Sequence, residues 1–261
     1  MQYQGGKHRI SAEIAALMNI YNKPFVSLFC GACNVESRIK SERIICNDKH
    51  EYLIAMWQAL QRGYELPDSI SEKQYQYIKA HKDEDKALAG FVGFACSFGG
   101  KWFGGYARSN RINFAGTGKR HTMKCFEGLR KAEFMCMDYR DVPIPDGAVI
   151  YADPPYVNTT GYSCGEFDTN AFWEYMRVLS IEHLVFISEQ DAPEDFVPIW
   201  EKSYRRTMAN NVNKGFVTTE KLFVHKSKLA NYSNLALCNK RGAFFPERRS
   251  NGETDKQLPK G

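Results

Sequence analysis

Five apolar residues in a row, Ala148, Val149, Ile150, Tyr151 and Ala152, run straight into Asp153-Pro154-Pro155-Tyr156. No other feature of the 261 residues constrains the fold as much. A short unbroken apolar run bounded by prolines reads as a buried strand. Weaker runs of the same kind occupy residues 25–29, 43–46, 134–137 and 184–188. Between the first two of these lies the small-residue turn Cys30-Gly31-Ala32-Cys33. Helical spacing predicts helices over residues 9–21, with Ile10, Ile14, Leu17 and Tyr21 on one face, and over 51–62. A third is predicted over 170–179, capped by Thr169 and burying Phe172, Met176 and Leu179. Strand, turn, helix, strand is the rhythm of an α/β sheet with parallel strands.

Two regions depart from that rhythm. From residue 64 to about 121 it is lost, and residues 90–118 are rich in glycine, aromatic and basic residues, which predicts loops and short helices. Residues 201–208 and 221–225 are expected to pair as antiparallel strands across a long polar loop. The polar tail, residues 247–261, is expected to be disordered.

Charge is distributed in blocks. The net value is +5, yet residues 97–131 carry eight Lys and Arg against Glu127 alone, and residues 132–200 carry thirteen Asp and Glu against Arg140 and Arg177. Residues 201–249 are basic again, eleven against three. Basic blocks around an acidic middle suggest a polyanionic partner. No run approaches the roughly 18–20 apolar residues of a membrane span. The polar opening, residues 2–9, lacks the apolar run of a secretion signal, so a reducing, cytoplasmic location with free thiols is expected.

The strand followed by Asp153-Pro154-Pro155-Tyr156 has a chemical reading, because open α/β sheets bind ligands at the carboxyl ends of their strands. An exocyclic amino group on adenine is a poor nucleophile, its lone pair being delocalised into the ring. Acceptors for both N–H hydrogens shift the nitrogen towards tetrahedral geometry. Asp153 is the candidate for one acceptor and the Pro154 carbonyl for the other, its direction fixed by Pro155. Tyr156 is placed to stack on a base taken out of the helix. Four further features fall in a consistent order along the chain. Gly5-Gly6 permits close backbone approach, with Tyr3 and Lys7 beside it and Lys7 supplying charge for a carboxylate. The loop Phe29-Cys30-Gly31-Ala32-Cys33-Asn34 is small enough to wrap a cofactor. Asp48 ends a strand where an acid holds ribose hydroxyls. Asp138-Tyr139 follows another strand, where an adenine ring can be held.

Taken together, Tyr3-Gln4-Gly5-Gly6-Lys7, Leu28 to Val35, Asn47-Asp48, Asp153 to Tyr156, Ile187-Ser188-Glu189 and Glu220 to Val224 resemble the DNA adenine methylase family, Dam-like, most closely its phage-borne branch. The resemblance runs from residue 3 to 224. It implies a Rossmann-like, mostly parallel seven-stranded sheet with an inserted target-recognition domain. The implied cofactor is S-adenosylmethionine, held by Tyr3, Lys7, Phe29, Gly31, Ala32, Cys33, Asn34, Asp48, Asp138 and Tyr139. The implied partner is double-stranded DNA, with no obligatory protein partner. Residues 1–63 and 122–246 are then the catalytic domain and residues 64–121 the insertion. One departure stands out: the family's loop often reads Phe-x-Gly-x-Gly, and Cys33 occupies its last position here.

Within the insertion, Lys101, Arg108, Arg111, Lys119 and Arg120 are the candidates for DNA phosphates or base edges. Trp102 and Tyr106 are candidates for the gap left by a flipped base, or alternatively for the small core of the insertion. Cys30-x-x-Cys33 has no second close pair, and no metal is expected. Methylation of the cytosine amino group, or of RNA, uses related chemistry and stays open as an alternative.

Overall fold

The computed structural model describes residues 1–19, 23–155, 167–208, 211–230 and 232, with only the backbone for 205–208 and 211–216. Seven strands form one sheet: β1 (Phe25–Ser27), β2 (Ile44–Asn47), β3 (Glu133–Met135), β4 (Val149–Ala152), β5 (Leu184–Glu189), β6 (Phe196–Met208) and β7 (Asn211–His225). Their order is β3-β2-β1-β4-β5-β7-β6. The first five are parallel neighbours, and β7 runs antiparallel to both β5 and β6. The expected mostly parallel sheet of seven strands is therefore what the chain forms.

The apolar runs are unbroken because both faces of the sheet are covered. Phe25, Ile44, Cys46, Val149, Tyr151, Phe186, Leu222 and Val224 point to one core, whereas Val26, Ile45, Ile150, Ala152, Val185, Ile187 and Phe223 point to the other. The second face carries α6 (Thr169–Glu182), which buries Phe172, Trp173, Met176 and Leu179. Its cap is Asp168 rather than Thr169: the Asp168 Oδ1 accepts from the Ala171 N–H at 3.0 Å. The first face carries α1 (Ser11–Met18) and α2 (Glu51–Gln61). Helix α1 buries Ile14 and Met18 and leaves Leu17 half-buried; Tyr21 lies outside the described residues.

Three further helices occupy the region without α/β rhythm: α3 (Glu72–Ala80), α4 (Lys86–Ala95) and α5 (Phe114–Glu127). They do not form a core of their own. Phe91, Val92, Phe94 and Ala95 of α4 belong to the same core as Trp57 of α2 and Phe25 of β1. Gly90 sits where an added Cβ would stand 2.0 Å from the Tyr52 carbonyl oxygen, so α4 and α2 touch backbone to backbone. The expected boundary at residue 121 falls inside α5. The segment is thus an elaboration of the sheet's first face rather than a detached insertion. Periodicity misses α4 because a helix buried on all sides shows no apolar stripe.

The C-terminal hairpin also differs from expectation. Strands β6 and β7 pair from Phe196↔His225 to Met208↔Asn211, so residues 211–220 of the stretch expected as a long polar loop are themselves strand. The tail, residues 247–261, lies outside the described residues. Among those described, no helix is long and apolar enough to cross a membrane.

Candidate active site

A cavity of about 230 Å³ opens at the carboxyl ends of β1, β2 and β4. In the sheet order, β1 lies between β2 and β4, which is the point where the order reverses and where open α/β sheets bind ligands. Several backbone constraints shape the cavity. The Asn47 side-chain amide donates to the carbonyls of Leu28 and Met137, each at 3.1 Å, and ties the ends of β1, β2 and β3 together. Asp48 follows, and both its carboxylate oxygens are oriented by backbone N–H groups, Gly31 at 2.9 Å and His50 at 2.9 Å. Burial raises the Asp48 pKa, and those hydrogen bonds oppose the rise. Gly31 has φ +49°, and a Cβ there would stand 2.9 Å from the Tyr3 ring, so the loop after β1 packs directly against the N-terminal segment.

Cys33 also has a positive φ, +53°. This is the left-handed region that favours glycine, which accounts physically for the family's glycine at that position. Its side chain is fully buried beneath the loop and does not line the cavity, contrary to the direct contact expected. Burial pushes the Cys30 and Cys33 thiols well above their ordinary range, so neither is a nucleophile. Among the described residues, no group of three or more His, Cys, Asp or Glu is arranged to hold a metal.

The other sequence-predicted residues converge. Tyr3, Lys7, Phe29, Gly31, Ala32, Asn34, Asp48, Asp138, Tyr139, Asp153, Pro154 and Pro155 all line the cavity. Tyr156 lies outside the described residues. Phe29 and Tyr139 pack with ring centroids 5.2 Å apart, with Phe167 6.0 Å from Phe29, and form an aromatic wall. Asp138 accepts from the Arg140 guanidinium at 2.8 Å, which holds its carboxyl below the ordinary range.

Lys7 is the departure that matters most. Its ammonium lies 2.9 Å from Asp153 Oδ1 and 3.2 Å from Glu220 Oε2, and the Lys7 and Glu220 side chains are almost wholly buried. Burial works against the ammonium, but the two carboxylates outweigh it, and the Lys7 pKa stands above the ordinary lysine value. A lysine already flanked by two carboxylates of its own chain has no charge left over for a cofactor carboxylate. Glu220 was invisible as a site residue from its own neighbourhood. Its one signal is a carboxylate at period two with Leu222 and Val224, on the strand face that points to the core.

Two other buried acids surround this group. Glu36 is 2% exposed and accepts from Ser27 Oγ at 2.7 Å; burial raises its pKa well above the ordinary value. Glu189, at the end of β5, is pushed up to about 7, chiefly by burial. A carboxyl raised in the folded state costs nothing below its ordinary value of 4.5 and costs most above about 7. Stability therefore falls as pH rises through that window. Glu189→Gln is expected to melt above wild type at pH values beyond about 7 and to converge with it below about 4.5. Thermal scans over a pH series measure this, and parallel curves would rule out an ionised, penalised Glu189.

Of the residues expected to meet DNA, the structure brings Trp102 to the cavity, where its ring packs edge-on to His50 at 4.3 Å. Tyr106 turns inward instead: its hydroxyl donates to the Ile70 carbonyl at 2.7 Å and its ring packs on Tyr75. Arg108 is paired with Glu72, its Nε at 3.0 Å, and Lys119 with Asp68 at 2.9 Å. Lys101, Arg111 and Arg120 are exposed.

Residues 3–92 match the family model of D12 class N6 adenine-specific DNA methyltransferases. The Type II methyltransferase M.FokI of Planomicrobium okeanokoites is 22% identical over 215 residues, which is 70% of this chain and 33% of M.FokI. The chain therefore spans one third of the length of that curated relative. Solved structures overlap weakly. SMU.472, determined with SAH, gives a TM-score of 0.36 at 12% identity, covering 86% of this chain and 54% of that one. A predicted N6-adenine-specific DNA methylase of Listeria monocytogenes gives 0.33 at 13%, covering 86% and 52%. Overlaps this weak add nothing to the sheet described above.

Proposed function

We propose that the chain, whose residues 3–92 match the family model of D12 class N6 adenine-specific DNA methyltransferases, methylates the exocyclic amino nitrogen of adenine in duplex DNA, with S-adenosylmethionine as donor. The observation that carries this reading is Asp153-Pro154-Pro155 at the end of β4, in one cavity with Asp48 and the loop at Gly31. When bound, the cofactor supplies an electrophilic methyl group on a sulfonium sulfur.

The residues present fit such a molecule. The oriented Asp48 carboxylate suits vicinal ribose hydroxyls, and the wall of Phe29, Tyr139 and Phe167 suits a flat heterocycle. Gly31 leaves room that a side chain would fill, since the Tyr3 ring already stands against it. On the substrate side, Asp153 accepts one hydrogen of the adenine amino group and the Pro154 carbonyl accepts the other. The nitrogen lone pair is thereby freed from the ring and directed at the methyl. Lys7, bonded to Asp153 Oδ1 at 2.9 Å, fixes that carboxylate's orientation. Transfer of that methyl would form the C–N bond as the methyl–sulfonium bond breaks, its electron pair returning to sulfur, and the nitrogen's surplus proton would leave to water. Tyr156 retains its proposed role of stacking on the extruded base, and Trp102 offers a second aromatic face at the cavity. Residues 64–121 are proposed to contribute to target recognition from beside that opening.

The test is the full chain with radiolabelled methyl donor and mixed-sequence duplex DNA, digested to nucleosides and separated. Label on N6-methyladenosine is the expected result. Label on cytosine would move the base assignment, and cofactor binding without any label on DNA would overturn the function.

A further inference from the structure

Part of the positive charge in residues 101–120 is already neutralised, because Arg108 and Lys119 face Glu72 and Asp68. A second group of cations is not. His8 and His121 stack with ring centroids 5.4 Å apart, and Arg9, Arg38, Arg120 and Lys124 are exposed near them. These residues come from three places: the entry to α1, the short turn at Glu36–Arg38, and α5. Among the described residues, none of Arg9, Arg38, Arg120 and Lys124 has a carboxylate within 4.0 Å; the pairs formed lie elsewhere. Arg38 is anchored by its Nε–H to Ser11 Oγ at 3.0 Å and Arg120 by Nη2 to Thr117 Oγ1 at 3.1 Å, both neutral partners.

Like charges gathered without counter-charges repel, and a fold carries such a group most readily where an anion completes it. The field is visible in the histidines. Partial burial comes first, but the amino terminus, Arg38, Lys124 and Arg9 at His8, and the amino terminus, Arg120 and Lys124 at His121, also act to lower their pKa values. All six are exposed and none lines the cavity described above, so this exposed ledge suits the repeated charges of a strand better than one small anion. It is also continuous with the site: His8 follows Lys7, whose ammonium contacts Asp153.

We propose that His8, Arg9, Arg38, Arg120, His121 and Lys124 form the track for the phosphodiester backbone of duplex DNA flanking the target adenine. The proposal rests on the function inferred above and specifies where the duplex lies. Residues 101–111 would then act at the cavity mouth, while the ledge carries most of the salt-dependent affinity.

The experiment compares wild type, Arg9→Gln/Arg38→Gln/Lys124→Gln and the control Lys226→Gln/Lys228→Gln, all in the full chain. Binding to a fluorescently labelled mixed-sequence DNA duplex is followed over a salt series, alongside cofactor affinity and melting midpoint. Each lost phosphate contact removes about 0.9 from the slope of log affinity against log salt, so the triple variant is expected to lose roughly 2–3. The control is expected to keep the wild-type slope. Should the triple variant melt early, Lys124→Gln alone is expected to lose about 0.9. A folded variant with the wild-type slope, beside a wild type that methylates adenine, overturns the ledge and leaves the function standing. A wild type that binds no DNA duplex at any salt overturns both. Preference of the ledge for duplex RNA, lost in the triple variant, overturns the choice of DNA as its occupant.

Discussion

Replacing Asp153 with alanine is expected to lower single-turnover methyl transfer on the order of 10³-fold or more while leaving the chain folded. The reasoning starts from the charges. Asp153 and Glu220 share one ammonium, Lys7, at 2.9 and 3.2 Å. Removing Asp153 leaves Lys7 and Glu220 as a one-to-one pair, so no uncompensated charge is buried and the fold tolerates the change. What is lost is the acceptor that prepares the amino nitrogen. The proposed cofactor contacts at Asp48, Gly31 and Phe29 are untouched, and affinity for S-adenosylmethionine is expected to stay within about twofold of wild type. Rate and affinity losing ground together would mean that Asp153 acts through the cofactor. A rate near that of wild type would remove Asp153 from the chemistry altogether.

The second large effect is at Lys7. Lys7→Met removes the cation and leaves the buried Glu220 and the one-fifth-exposed Asp153 without their shared partner, a loss that costs up to about 3–5 kcal/mol when one partner of a buried pair is deleted. For a chain of this size that lowers the melting midpoint by roughly 10 °C. The signature is its pH dependence. In the variant, the facing carboxylates take up protons more readily in the folded state, so its deficit relative to wild type is expected to shrink as pH falls. In wild type, Lys7 has a folded pKa above the ordinary 10.5. Its contribution is therefore fully present below 10.5 and is lost as pH rises through the raised folded value. Methyl transfer is expected to fall as well, because Asp153 loses its orienting partner. Thermal scans across pH measure the first effect, and single-turnover rates the second. A Lys7→Met chain as stable as wild type at every pH would show that Lys7 does not compensate Asp153 and Glu220.

The two predictions separate what the chain displays locally from what it assembles. Asp153 was legible because the apolar run of β4 and the prolines after it are contiguous, and a strand end in a parallel sheet is where ligands bind. Asp48 and the loop at Gly31 were legible for the same reason. Lys7 was legible as a site residue but not in its role, since its partners come from β4 and β7. Glu220 was missed because a carboxylate on a strand becomes a site residue only when a distant lysine is brought to it. Tyr106 and Trp102 belong to one aromatic, glycine-rich string, and nothing in that string says that one turns into the fold and the other to the cavity. The neutralisation of Arg108 and Lys119 was equally hidden, because Glu72 and Asp68 sit in a different stretch of chain.

By itself, the sequence determined the strands β1 to β5, helices α2 and α6, and the motif that ends β4. These follow from short-range periodicity, from proline and glycine stereochemistry, and from burial on both faces of a parallel sheet. Only the tertiary structure decided three other things: that α3, α4 and α5 join the sheet's own core, that Lys7 is shared between Asp153 and Glu220, and that Arg9, Arg38, Arg120 and Lys124 gather around His8 and His121. The physical reason is common to all three. A helix apolar on every side carries no stripe, and the worth of a charge depends on which charges the fold brings within about 4 Å of it.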